Sequence, residues 1–234
     1  MSFNYVDRVF VITGGAGGIG SAFAISAAER GARIVVVDIR MEAAKSLCDR
    51  LPGGPHLPLG VNLTNRSEVE EMLAEVDRQY GRIDVLVNNV GMTSADRFDE
   101  RSVESIVQEL DTNLYSPLLL TRLAIDLLYK SVDPRVISTV SLGGIFPLGE
   151  TPIYTASKFG LRGAMLSIGL DLRDKGILAG SVLPSATDTR MLRQEALDGG
   201  NSLQFQDPPQ SPYLKQLRAA GKIVDVDGNP TLVD

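Results

Sequence analysis

The chain has 234 residues, 44% of them hydrophobic and 22% charged, with a formal net charge of −6. That composition belongs to a globular protein with a sizeable core, and its acidic balance excludes a general affinity for nucleic acid or for an anionic membrane. One cysteine, Cys48, and one histidine, His56, exclude an internal disulfide framework and a zinc site of the usual ligand count.

In chain order, Met1–Asp7 is polar, and the apolar run Val9–Ile12 is too short for a signal-peptide core. No stretch approaches the roughly 20 apolar residues of a membrane helix, so a cytoplasmic location is expected. Arg8–Thr13 reads as a buried strand, followed by glycines and a helix to about Arg30. Arg33–Asp38 is a second, valine-rich strand ending on an acid. Met41–Leu51 reads as a helix stopped by Pro52-Gly53-Gly54-Pro55. A weaker third strand lies within His56–Leu63, and Asn65–Tyr80 is helical, with Val69, Leu73 and Val76 at helical spacing. Asp84–Asn88 is a fourth strand. Ser102–Lys130 is mostly helical, Arg135–Val140 a strand, Ile153–Lys175 a helix and Ile177–Leu183 a strand.

Near-continuous apolar strands separated by helices imply a parallel sheet buried on both faces. Right-handed crossovers then give a doubly wound α/β fold of three layers, α/β/α, as one domain over residues 1–234.

The first strand runs into Thr13-Gly14-Gly15-Ala16-Gly17-Gly18-Ile19-Gly20. Glycines between a strand and a helix let the backbone approach a pyrophosphate, and the helix N-terminus offers it unpaired N–H groups and positive dipole. Asp38, ending the next strand, would accept hydrogen bonds from the ribose hydroxyls of NAD and repel the 2′-phosphate of NADP. Arg40 lies two residues on and could serve a phosphate, but the position of the acid favours NAD.

Tyr154 and Lys158 sit four apart in Tyr-Thr-Ala-Ser-Lys, which puts both on one helix face. A nearby ammonium and a nicotinamide cation stabilise phenolate, so such a tyrosine can trade a proton with an alcohol near neutral pH. Ser141 ends the preceding strand and can hydrogen-bond a substrate oxygen. By itself the Tyr-x-x-x-Lys spacing also suits an exposed helical pair. The serine-ended strand before it and the glycine turn upstream give it specificity.

These elements resemble, in order, those of the short-chain dehydrogenase/reductase family, whose fold is the Rossmann fold. The matching residues are Thr13-Gly14-x-x-x-Gly18-Ile19-Gly20, Asn88-Asn89-x-Gly91, Asn113, Ser141, Tyr154-x-x-x-Lys158, and Pro184 followed by Thr189, within residues 6–191. The resemblance implies that Tyr154 is the general acid/base and that Lys158 lowers its pKa and holds the nicotinamide ribose. Ser141 would orient the substrate oxygen, and Asn113 would support a water linking Lys158 to solvent. Asn89 and Gly91 would line the adenosine side and steady the sheet, and Thr189 would meet the carboxamide. Three positions depart from the family pattern. Asn62-Leu63 replaces its Asp-Val pair, with the asparagine still able to accept from the adenine amino group; Val90 replaces alanine and Ser185 replaces glycine.

After Met191 the pattern weakens. The resemblance places a substrate lid over residues 190–212. Pro212–Ala220 suits a short helix, and Gly221–Gly228 resembles the family's last strand. Either the ending is abbreviated or the usual one is missing, with the first favoured.

Leu142–Leu148, with Met92, Met191 and Leu192, suggest an apolar pocket wall, although some of these residues could simply pack the core. The expectation is an NAD-dependent oxidoreductase acting on a hydrophobic secondary alcohol or ketone, in a homodimer or homotetramer. The alternatives are an NADPH-dependent acyl-thioester ketoreductase and a catalytically silent NAD-binding regulator.

Overall fold

Valine and isoleucine dominate the apolar runs, and their branched side chains favour a pleated, buried backbone. In the computed structural model, which describes residues 3–94, 96–147, 151–185, 187–197, 219–221, 223–226 and 229–232, six of these runs form one parallel sheet. They are β1 (Val9–Thr13), β2 (Arg33–Asp38), β3 (Leu57–Gly60), β4 (Val85–Asn88), β5 (Arg135–Thr139) and β6 (Leu178–Val182), in the order β3-β2-β1-β4-β5-β6. Every residue of β1 is buried, as a strand covered on both faces requires.

Helices α1 (Gly18–Ala28) and α2 (Met41–Cys48) cover one face, packing Ala24, Ala27, Ala44 and Leu47 on Phe10, Ile12, Ile34 and Val36. On the other face lie α3 (Arg66–Tyr80), α5 (Ser116–Leu128) and α6 (Pro152–Asp171), packing Val69, Met72, Leu120, Leu161 and Met165 on Val9, Val11, Val35 and Val136. The chain is thus a single doubly wound α/β domain of three layers. Asn65 caps α3 by accepting from the Ser67 N–H at 3.0 Å, and Gly81, at φ +70°, ends it.

The helical stretch expected over Ser102–Lys130 is interrupted. It comprises α4 (Val103–Leu110), a π turn over Asp111–Tyr115, and α5. Such turns often mark functional positions, and this one carries Asn113.

Strand order reverses between β1 and β4, which opens a crevice at the carboxyl ends of the strands, where open α/β sheets bind ligands. The opposite end of the sheet is closed by Asp84. Its carboxylate accepts from Val9 N (2.8 Å), Arg8 Nη1 (2.8 Å), Arg82 Nε (2.9 Å) and Ser131 Oγ (2.6 Å). Burial alone would raise its pKa. The hydrogen bonds from Ser131, Val9, Arg8 and Arg82 outweigh it and hold the group below the usual carboxylate value.

Toward the C-terminus, α7 (Arg190–Leu197) occupies the first part of the expected lid. Ile223–Val226 is a strand, β7, but it pairs antiparallel with β8 (Asn229–Leu232) and does not extend the parallel sheet. The rest of the lid, and all but the last two residues of the helix expected over Pro212–Ala220, lie outside the described residues. Among the described residues no helix is long and apolar enough to cross a membrane.

Candidate active site

The glycine turn after β1 is built for close approach. Gly14 sits at φ +56°, and a methyl group there would lie 3.1 Å from the Val90 backbone. A methyl at Gly20 would lie 2.8 Å from Asn89 Nδ2 and run into the Gly14 carbonyl, so the start of α1 packs directly on the turn. The N-cap of α1, Gly17, offers no side-chain acceptor, which leaves the helix N–H groups to an incoming anion.

Asn89 fastens this turn to the rest of the sheet. Its Nδ2 donates to the carbonyls of Thr13 (3.1 Å) and Gly14 (3.2 Å), and its Oδ1 accepts from Thr139 Oγ1 (3.1 Å). Asp38 faces the same crevice from the end of β2. Its Oδ2 accepts from the Ala16 N–H at 3.2 Å, and its Oδ1 accepts from the Arg40 N–H at 3.1 Å and Arg40 Nε at 3.3 Å. Asn62 and Leu63 line the crevice beyond it. Asn62 Oδ1 already accepts from Thr64 N (3.2 Å) and Oγ1 (2.9 Å), so the atom expected to meet an adenine amino group carries two bonds of its own.

The second half of the site comes from β5 and α6. Ser141, just past β5, accepts from the Gly143 N–H at 3.0 Å, a bond that leaves its hydroxyl proton to donate elsewhere. Tyr154 and Lys158 are one turn apart in α6, with the Lys158 ammonium 5.5 Å from the Tyr154 ring centre. Lys158 is buried, and its Nζ donates to the Thr139 carbonyl at 3.0 Å. Burial pushes this amine down to about 8, while the Glu109 carboxylate pushes the other way.

Asn113 Nδ2 donates to Met92 O (2.8 Å) and Ser157 Oγ (3.2 Å), and its Oδ1 accepts from the Met92 N–H at 2.8 Å. Asn113 is therefore fixed between the loop after β4 and α6. A methyl at Gly91 would lie 3.5 Å from both Asn113 Oδ1 and Lys158 Nζ.

One cleft of about 630 Å³ joins the two halves. Gly14, Gly18, Ile19, Asp38, Asn89 and Gly91 line it on one side; Ser141, Tyr154, Lys158, Pro184 and Thr189 line it on the other. Gly20 and Asn113 stand behind that lining.

The expected apolar wall needs correction. Met92, Met191 and Leu192 line the cleft, but Leu142–Pro147 do not. Ser141 caps a 3₁₀ turn at Leu142–Gly144 that folds onto α6, burying Gly143 and Gly144 and leaving Ile145 and Phe146 exposed. Leu148 lies outside the described residues. In place of that wall, Gln108, Thr112 and Ser116 line the cleft at four-residue intervals. That helical spacing beside Asn113 was the available signal.

A family profile described as short chain dehydrogenase matches residues 8–198. A 3beta-hydroxysteroid dehydrogenase of Mediterraneibacter gnavus is 28% identical over 224 residues, covering 92% of this chain and 80% of that protein. A 3-oxoacyl-[acyl-carrier-protein] reductase of Thermotoga maritima is 31% identical, covering 79% of this chain and 76% of its own length. Among solved structures, the ligand-free aldohexose dehydrogenase of Thermoplasma acidophilum superposes with a TM-score of 0.75 at 25% identity, over 83% of this chain and 73% of that one.

Proposed function

The chain belongs to the short-chain dehydrogenase family, and on that premise we propose that it is an NAD-dependent oxidoreductase that interconverts a secondary alcohol and a ketone on a small organic molecule. The observation that carries this reading is the single cleft that holds Ser141, Tyr154 and Lys158 together with the glycine turn and Asp38.

The cradle fits a dinucleotide: a turn closed to any side chain at Gly20, uncapped helix N–H groups, and a carboxylate at the end of β2. Gly14, Gly18 and Ile19 would hold the pyrophosphate, Asp38 the adenosine ribose, and Pro184 and Thr189 the nicotinamide end. The bound cofactor supplies or accepts the hydride.

The chain's own residues move the proton. Tyr154 takes the proton of the substrate hydroxyl during oxidation and returns it during reduction. Lys158 stabilises the phenolate by its charge. Ser141 donates its hydroxyl proton to the substrate oxygen and fixes it beside Tyr154. Met92, Met191 and Leu192 give the substrate side an apolar lining, which supports a hydrophobic substrate.

Arg40 favours a second reading. Its guanidinium is bonded to Asp38 and half exposed, and a cation there could meet a ribose phosphate, which supports an NADPH-dependent acyl-thioester ketoreductase; the Thermotoga relative is a 3-oxoacyl-[acyl-carrier-protein] reductase. The reading extends to a cytoplasmic homodimer or homotetramer. Val103, Val107, Phe159, Leu166 and Leu170, exposed on α4 and α6, support self-association, and light scattering measures it.

Incubation with NAD and a panel of secondary alcohols tests the main reading. NADH should accumulate, and Tyr154→Phe should lower turnover at least about 100-fold. Dissociation constants for NAD and NADP should favour NAD; equal or tighter NADP binding points to the ketoreductase. Cofactor binding without turnover on any substrate points to a silent regulator.

A further inference from the structure

A buried charged pair lies beside the acid–base residues and has no part in the chemistry described so far. Arg101, just ahead of α4, brings Nη1 to 2.7 Å from Glu109 Oε2, and neither side chain is exposed. The other guanidinium nitrogens are held by the helix itself: Nε donates to Ser105 Oγ at 3.3 Å and Nη2 to Ser105 O at 3.2 Å. This hold leaves Nη1 close to the carboxylate but poorly aligned. Among the described residues neither Glu109 oxygen accepts a hydrogen bond of good geometry. A buried carboxylate is ordinarily tied down by several donors, as Asp84 is. Glu109 has charge contact with Arg101 without that saturation.

The place of Glu109 in the fold decides which other charge lies near it. It lies four residues before Asn113, about one helical turn. Asn113 bonds Ser157, the neighbour of Lys158, across the seam where α4 packs on α6. A methyl at Gly91 would lie 3.5 Å from both Asn113 Oδ1 and Lys158 Nζ, so the buried Glu109, one turn before Asn113 on the helix that packs on α6, stands near the lysine, where its charge opposes the effect of burial on the amine. Among the described residues, the hydrogen-bond acceptor at the Lys158 amine is neutral, the Thr139 carbonyl. Among the described residues, the charged groups that act on Glu109 are Arg101, Asp96 from the loop after β4, and Lys158 of α6, and the Tyr154 ring lies beside Lys158.

We propose that Glu109 is a positioning residue for the acid–base pair: its buried carboxylate is the counter-charge that the Lys158 ammonium faces across the α4–α6 seam, with Arg101 as its competing partner. Burial drives Lys158 toward the neutral amine, and Glu109 opposes that drive. The purpose of the device rests on the alcohol–ketone reading, but its test needs neither cofactor nor substrate.

The test is an ultraviolet difference titration of tyrosinate, in which the Tyr154 component is the wild-type curve minus that of Tyr154→Phe. In Glu109→Gln the Arg101 cation loses its counter-charge beside Lys158. The Tyr154 component should move to higher pH by about half a unit or more. In the double variant Arg101→Met, Glu109→Met both charges go, and the component should move the same way by less. The pH profile of alcohol oxidation should shift in parallel, with kcat reduced at neutral pH and KM little changed.

A Glu109→Gln protein that keeps the wild-type circular dichroism and melting temperature, and in which Tyr154 titrates where it does in the wild type, would overturn the proposal. If Glu109→Gln does not fold, the double variant decides, because it buries no unpaired charge. An unmoved component there overturns the proposal as well. A wild type with no separable Tyr154 component fails the proposed chemistry itself and takes this inference with it, whereas a component that is present but unmoved fails the inference alone.

Discussion

Asp84 and Glu109 are both fully withdrawn from water, and they titrate in opposite directions. For each, burial is the largest influence and favours the neutral acid. Asp84 reverses it with donors from Ser131, Val9, Arg8 and Arg82. Among the described residues Glu109 has Arg101 alone at contact distance, and burial holds it above the usual value. Asp84 closes the end of the sheet opposite the cleft, where a saturated charge fastens β1, β4 and the segment before β5. Glu109 lies toward the end that carries the cleft, one turn before Asn113 and one residue after the cleft-lining Gln108. The contrast shows that burial does not by itself decide what a charge is for; the number of aligned donors around it does.

The contrast breaks most readily at Asp84. Asp84→Ala strands two arginines and should cost about 3–5 kcal/mol in urea unfolding at neutral pH, with NAD affinity of the folded protein unchanged. Because the folded pKa is depressed, the stabilisation is present above the unfolded value of about 3.9 and is lost as pH falls through the folded value. The gap between wild type and variant should therefore close in acid, and a gap that widened there would contradict the assignment. Glu109 has the opposite sign. Its contribution is most favourable below the unfolded value and falls away as pH rises through the raised one, so Glu109→Gln should compare best with the wild type at neutral pH.

Lys158→Met sharpens the same contrast from the cationic side. The amine titrates near 8 when folded, so its penalty is fully developed below that pH and absent above the unfolded value of about 10.4. The variant should be inactive yet more stable at pH 7, by up to about 3 kcal/mol, and the advantage should disappear as the pH rises past 10.4. Equal urea midpoints at pH 7 would show that the ammonium is better solvated than its burial indicates. A smaller effect is expected at the glycine turn. Gly20→Ala meets Asn89 Nδ2 and the Gly14 carbonyl and should cost about 1–3 kcal/mol of stability, together with weaker dinucleotide binding by calorimetry.

The fold was legible because β-branched runs such as Val35-Val36-Val37 alternate with helical patterns and are punctuated by glycine. Tyr154 and Lys158 were legible because one helical turn relates them. What escaped the sequence depends on distance or on the backbone. Lys158 is held by a carbonyl, that of Thr139, and no side-chain pattern encodes a carbonyl. Asp111–Tyr115 is compatible with an ordinary helix, so the π turn had no signature. The apolar wall after Ser141 was misread because residue type does not say that a capped turn folds the segment onto α6. Nothing in the sequence sets Glu109 apart from other acids on a helix, where charges are usually solvated.

Asn89 carries one further consequence. A single carboxamide holds the Thr13 and Gly14 carbonyls with its nitrogen and the Thr139 hydroxyl with its oxygen, and the carbonyl of that same Thr139 holds Lys158. The place where a nucleotide phosphate would press and the place where a proton would be traded are thus separated by one amide and one threonine, with no flexible segment between them. A displacement of the glycine turn would therefore reach the lysine through one carboxamide and one threonine.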